Sequence, residues 1–198
     1  MTAASFGILQ SRKGKRKMEH GFINLTPENI MGEHKGHGYG RQLMEYCLND
    51  AKERGKSGVC MLGAEKQKAW LSDQAFSMKY GFEEVDSTKD GYKLLALSFD
   101  GTLPHFAPNA KRQAIENKEL TVYYDMQCPY ILQRVETLKE HCEEKAIPAS
   151  FVQVATLEQA KALPCVFNNW AVFYGGKFQT VNQLDGGMLD KIMAREDA

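Results

Sequence analysis

The chain predicts an α/β fold in two parts, and three observations carry that expectation. A glycine-rich turn, Lys35-Gly36-His37-Gly38-Tyr39-Gly40, opens an amphipathic helix that leads into a short apolar strand. A polar stretch with two prolines and mixed charges, residues 101–118, then interrupts the pattern. Beyond it, apolar segments follow one another as strand, helix, strand, helix, strand, strand, helix.

The elements can be justified in order. Residues 1–21 hold Arg12, Lys13, Lys15, Arg16 and Lys17. In a chain with 25 basic and 25 acidic residues such a run reads as a solvated, disordered tail rather than a nucleic-acid arm. Residues 22–100 form the first domain. Its glycine turn is a candidate anion cradle, because glycines adopt φ > 0 and let a ligand approach the backbone, while the first N–H groups of the helix point at that ligand. Read alone, the same run also fits a flexible turn. From Arg41 to Arg54, Leu43, Met44, Cys47, Leu48 and Ala51 recur at helical spacing, and Gly55 supplies a stop. Gly58 to Leu62 is an apolar strand, giving a βαβ-like unit. Ser72 or Asp73 can cap a short helix reaching Met78, Tyr80-Gly81-Phe82 turns it into a strand that includes Val85, and Tyr92 to Phe99 is a further strand.

Residues 101–118 read as a linker through Gly101, Pro104, Pro108 and Asn109. Residues 119–198 form the second domain. Leu120 to Tyr124 is a β-branched and aromatic strand, and Cys128-Pro129-Tyr130 starts a helix whose apolar face is Ile131, Leu132, Val135, Leu138 and Cys142. A strand follows from Phe151 to Ala155 and a short helix from Leu157 to Leu163. Trp170–Tyr174 and Lys177–Val181 make a hairpin around Gly175-Gly176. A last helix carries Met188, Leu189, Ile192 and Met193.

Cradle, helix, strand, a helix ending in Gly-Phe and two closing strands together resemble the C-terminal half of the GNAT N-acetyltransferases. Lys35, Gly38 and Gly40 fill the fixed places of that family's Arg/Gln-x-x-Gly-x-Gly/Ala motif, with Lys in place of Arg or Gln. The resemblance implies acetyl-CoA as co-substrate, bound at Lys35 to Arg41. The backbone amides of His37, Gly38, Tyr39, Gly40 and Arg41 would hold its pyrophosphate beside Gly36, and Lys35 and Arg41 would add charge. It implies acetyl transfer to a small-molecule or peptide amine. Two departures bear on turnover. The family's tyrosine acid lies four residues before the glycine of Gly-Phe, where this chain has Ser77, whose hydroxyl is far less acidic than a phenol; Tyr80 is near but out of register. The segment Phe22 to Ile30 resembles the opening of the family domain, yet the cradle follows four residues after it, so the middle of the domain, with its acceptor-binding strands and general base, is expected to be missing. No catalytic residue is nominated.

The βαβαββα order with Cys-Pro-Tyr at its first helix resembles the thioredoxin and glutaredoxin fold. Ile131 stands at the second cysteine position, which excludes a dithiol cycle within the motif, and Asn168 falls where that fold carries a cis-proline. The pair of domains resembles the YoaP-like family, with residues 170–178, Trp-Ala-Val-Phe-Tyr-Gly-Gly-Lys-Phe, looking like its signature. The expected fold is thus a partial GNAT acyl-CoA-binding domain followed by a thioredoxin-like one. A competing reading is a module that binds CoA or a thiol without turnover, or senses redox state through Cys128, whose sulfur gains thiolate character at a helix start.

Composition limits the alternatives. At 198 residues and 43% apolar the chain can bury a core, and its zero net charge gives no global field toward nucleic acid or membrane. No run of about 18 apolar residues occurs, and the start lacks a signal-peptide pattern, so a cytoplasmic protein is expected. Five cysteines at 47, 60, 128, 142 and 165 argue against a secreted disulfide framework. His20, His34 and His37 lack ligand spacing and a companion cysteine pair, so no metal site is expected. Cys47, Cys60 and Cys142 read as small core residues.

Overall fold

A parallel strand–helix–strand unit begins the first of two structural units. The computed structural model describes residues 22–25, 36–64, 74–126, 128–167 and 169–196. The units divide in sequence between Phe106 and Ala107. β1 (Phe22–Leu25) is followed by α1 (Tyr39–Glu53) and β2 (Gly58–Ala64), and β1 pairs in parallel with β2 from Phe22↔Gly58 to Leu25↔Met61. α2 (Gln74–Met78), β3 (Glu83–Ser87) and β4 (Tyr92–Ser98) complete the unit. β4 enters antiparallel between β2 and β3, giving the order β1-β2-β4-β3, with an irregularity in β3 between Glu84 and Asp86.

The helical spacing of α1 decides what it buries. Met44 and Ala51 reach the core of Val59, Met61, Phe82 and Leu95, and Leu48 packs at its margin. Leu43, expected on that face, is 40% exposed. It lies one residue, about 100° of helix, from the Met44–Leu48–Ala51 stripe, which suffices to turn it to solvent. α1 ends as the sequence requires: the N–H groups of Gly55 and Lys56 donate to the carbonyls of Lys52 (2.9 Å) and Ala51 (3.0 Å). The same pairing ends α2, where Gly81 at φ 85° brings its N–H to Met78 O and that of Phe82 to Ser77 O. This turn drives Phe82 into the core.

The second unit contains β5 (Leu120–Tyr124), α3 (Ile131–Glu144), β6 (Ala149–Gln153), α4 (Leu157–Ala162), β7 (Trp170–Tyr174), β8 (Lys177–Thr180) and α5 (Gly186–Glu196). The sheet order is β6-β5-β7-β8, with β5 parallel to β6 and antiparallel to β7. Alternation along β5 and β7 splits the side chains between two faces. Leu120, Val122, Trp170 and Val172 pack with Ile131, Val135, Leu138 and Leu189 of α3 and α5. Ala171, Phe173 and Tyr123 face Val154, Ala160, Leu163, Cys165 and Phe167. Leu132 and Met188, expected inside, are 48% and 49% exposed, again one residue off the buried stripes of their helices. α3 and α5 are clasped by Asp190, which meets His141 Nε2 at 3.0 Å and Lys145 Nζ at 2.6 Å. β6 starts two residues earlier than expected, because its register with β5 opens at Leu120↔Ala149, while Val154 leaves the strand for the opposite cluster.

The stretch expected as a linker is tied down at both ends. Phe106 N–H donates to Asp86 Oδ2 at 2.8 Å in the first unit. In the second, Asn109 Nδ2 donates to the carbonyls of Lys161 (2.7 Å) and Leu163 (2.9 Å), Gln113 N–H to Pro164 O (2.7 Å) and Ile115 N–H to Gly176 O (2.9 Å). No helix of the described residues is long and apolar enough to cross a membrane.

Candidate functional site

The glycine turn leads directly into the first turn of α1. Gly36 and Gly38 sit at φ 87° and 78°, and Gly38 is the N-cap of α1. The first helical bond runs from Gln42 N–H to Gly38 O at 3.1 Å, so the N–H groups of Gly40 and Arg41 lie ahead of it without an acceptor inside the helix. A Cβ added at Gly36 or Gly38 would meet nothing within 4 Å, which leaves open space over the turn. No acidic residue occupies the first turn of α1 to compete for its positive end. Gly40 is a helical residue within that turn. His37 and Tyr39 are exposed, with ring centroids 5.9 Å apart.

Arg41 is exposed and bound to Glu45 through Nε at 2.7 Å. The hydrogen bond to Glu45, then the charge of Glu45, and then Tyr80 raise the guanidinium pKa above its ordinary value. Arg41 therefore stays cationic at the cradle, with one donor already committed along the helix. Lys35, Ser72, Asp73, Asn168, His20, His34 and the basic run from Arg12 to Lys17 lie outside the described residues.

Ser77 is fully buried, and its hydroxyl donates to Met61 Sδ at 2.8 Å. The hydroxyl is thus sealed against β2. Tyr80, three residues on, is half-buried against the core of the first unit, with its ring centroid 5.1 Å from that of Phe76.

Cys128 is half-buried three residues before α3, with Gln183 Nε2 at 3.9 Å from its sulfur. Its carbonyl accepts from Ile131 N–H at 3.1 Å. Tyr130 beside it is 70% exposed. Cys60, Cys142 and Cys165 are buried, and burial pushes the thiols of Cys60 and Cys142 up, for Cys142 with help from the charges of Asp190 and Glu143. Cradle and thiol lie in different units, residues 36–41 in the first and Cys128 in the second. The Met61 partner of Ser77, the Gln183 contact and the Asn109 anchor went unseen in the sequence, since each joins residues at least 16 positions apart by a contact that no local spacing marks.

Comparison with protein families matches residues 148–191 to the family described as YoaP-like. Over 166 residues the chain is 28% identical to the Bacillus subtilis (strain 168) protein named "Uncharacterized N-acetyltransferase YoaP". That alignment covers 83% of this chain and 66% of the relative, so it spans just under two thirds of the relative's length. No solved structure matches the chain.

Proposed function

We propose that the chain is an acyl-CoA-binding protein of GNAT type, transferring an acetyl group from acetyl-CoA to an amine, with a thioredoxin-like second domain. The observation that carries this reading is the cradle: two left-handed glycines and the open N-terminus of α1, lying within a parallel strand–helix–strand unit. Ligands of such units collect beyond the carboxyl ends of the strands, where this turn lies. The similarity to a protein named as an N-acetyltransferase supports the same class. The strand orders β1-β2-β4-β3 and β6-β5-β7-β8 are consistent with the two fold readings.

In this reading the backbone N–H groups of residues 37–41 hold the pyrophosphate, and Arg41 adds charge after exchanging Glu45 for phosphate oxygen. The neutral amine nitrogen attacks the thioester carbonyl carbon, the C–S bond breaks and sulfur leaves as thiolate, and the proton shed by the nitrogen passes to solvent or to that thiolate. Positioning of the two reactants supplies the larger part of the acceleration. A non-catalytic CoA-binding module is the second reading, and the burial of Ser77 against Met61 favours it. A monothiol role for Cys128 draws support from its partial exposure and the Gln183 contact. Isothermal titration of the full chain with acetyl-CoA tests the primary claim. Saturable binding is expected, and its absence would remove both CoA readings.

A further inference from the structure

The outermost strand of the second sheet, β6, is an edge without the usual protection. Among the described residues only β5 pairs with it, in an unbroken register from Leu120↔Ala149 to Tyr124↔Gln153. Its residues, Ala149-Ser150-Phe151-Val152-Gln153, include no charge and no proline. An edge left in that state is a template for another strand. The opposite edge is covered, because Ala114 bridges Lys177, Ile115 N–H donates to Gly176 O at 2.9 Å and Phe178 N–H donates to Gln113 O at 3.0 Å. In the first sheet the outer strand β3 carries Glu83, Glu84 and an irregularity between Glu84 and Asp86.

One bond fixes which groups of β6 point outward. Val154 N–H donates to Tyr124 O at 2.7 Å, so the even-numbered residues turn their N–H and C=O toward β5, and Ala149, Phe151 and Gln153 turn theirs away from the sheet. Outside the β5 ladder, no backbone bond between described residues uses these groups. They are symmetric about Phe151. An identical strand laid antiparallel, with a two-fold axis at that residue, would pair Phe151 with its own copy and Ala149 with Gln153, and each pair would exchange its N–H···O bonds. Every outward donor then meets an acceptor.

The side chains fit the same arrangement. Ala149 and Phe151 border a hollow of about 490 Å³ beside α3, and Ser150 and Val152 border a groove of about 860 Å³ on the other face, so an added strand has room for its alternating side chains on both sides. Phe151 would face Phe151 across the strands, and Val152 would face Ser150. Lys139 with Glu143, and Arg112 with Glu116, line these spaces with opposite charges, and the chain as a whole has no net charge. No like-charge field opposes a second copy.

We propose that β6 pairs antiparallel with the β6 of a second copy, joining the two four-stranded sheets into one. The pair closes on itself and does not grow into a filament, since the covered β8 edge offers no second place for strand addition. The contact lies in the second unit and is independent of the CoA reading.

Sedimentation velocity of the full chain from about 1 to 100 µM tests the pairing, with amide hydrogen exchange read residue by residue over the same range. The sedimenting mass should rise from that of the 22.3 kDa chain to twice that value. The amides of Ala149, Phe151 and Gln153 should slow as it rises, and those of Ser150 and Val152, already directed at β5, should change less. Gln153→Pro removes one outward donor from each copy at an exposed edge position where proline is tolerated, so the melt of the dilute protein should stay in place. Loss of those two bonds should weaken the dimer roughly 5- to 150-fold. A chain that stays monomeric to about 100 µM, a dimer indifferent to Gln153→Pro, or outward amides already protected in the monomer, which would mean that this edge is occupied within one chain, overturns the proposal.

Discussion

Gly38→Asn separates the backbone requirement of the cradle from its ligand requirement. Gly38 has φ 78° and ψ 6°, and a Cβ there would meet nothing within 4 Å. Asparagine is the side-chain-bearing residue that tolerates this region best, and it is also among the strongest helix N-caps. The variant should therefore keep its stability to within about 0.5 kcal/mol. Binding should respond differently, because the new side chain enters the space over the first turn and can itself accept from the N–H groups of Gly40 or Arg41. Each hydrogen bond to a charged group contributes about 1.5–3 kcal/mol, so loss of one costs about that much. At about 1.4 kcal/mol per factor of ten, acetyl-CoA affinity should fall roughly 10- to 150-fold. Gly91→Asn is the control: φ is 85° and the space is equally open, but the residue lies in the turn between β3 and β4. Titration calorimetry and a thermal melt on the three proteins decide the matter. A Gly38→Asn protein that melts normally and binds acetyl-CoA within threefold of the parent refutes the pyrophosphate assignment.

Four further outcomes are expected. Gly175→Ala should cost about 1–2 kcal/mol through its left-handed φ of 62° alone. Gly176→Ala should cost about 1 kcal/mol more, because its Cβ would lie 2.9 Å from Ile115 O and would disturb the Ile115 N–H to Gly176 O bond; equal shifts in urea midpoints would contradict this. Ser77→Tyr should lower the melting temperature without creating turnover, since the site faces Met61 inside the core, and an active, stable variant would show that the site opens. Cys128 should alkylate faster than Cys60, Cys142 and Cys165 at neutral pH, as read by peptide mass, and a rate no greater than that of Cys165 ends the redox reading. The hydrogen bond from Lys145, and then that from His141, hold the Asp190 carboxyl below its ordinary value of 3.8. Its stabilising effect is then fully present above that pH and is lost as pH falls through the lowered value, so the gap between parent and Asp190→Asn melts should close in acid.

Local chemistry made most elements legible. The stop at Gly55, the hairpin at Gly175-Gly176 and the strand Leu120–Tyr124 depend on glycine torsions and on β-branched or aromatic runs, which the sequence displays directly. The width of buried helical stripes was not legible, because Leu43, Leu132 and Met188 are apolar and adjacent to buried positions, and only the neighbouring elements decide which side of the boundary each takes. Pro104, Pro108 and Asn109 mark irregular backbone in either a linker or a docked segment. The choice rests on acceptors more than 50 residues away, the carbonyls of Lys161 and Leu163. The cradle could be read because three glycines and a helix start are contiguous. The docking of residues 113–115 could not, since it rests on Gln113 N–H to Pro164 O, Phe178 N–H to Gln113 O and Ile115 N–H to Gly176 O, which join residues distant in sequence.

The open cradle and the sealed Ser77 bear on different steps of the proposed reaction. Binding depends on N–H groups that backbone geometry presents whether or not chemistry follows. Turnover depends in addition on where the leaving sulfur finds a proton. Thiols are far more acidic than alcohols, a cysteine thiol having a pKa of about 8.5, so a thiolate is a tolerable leaving group near neutral pH, and a missing acid slows transfer by about 10² to 10⁴ without forbidding it. The larger requirement is to hold the amine against the thioester carbon, worth about 7–11 kcal/mol where it is met in full. With Ser77 sealed against Met61, the proposed reaction predicts slowed turnover beside intact acetyl-CoA affinity. A turnover defect would be traced first to acceptor placement and only second to Ser77.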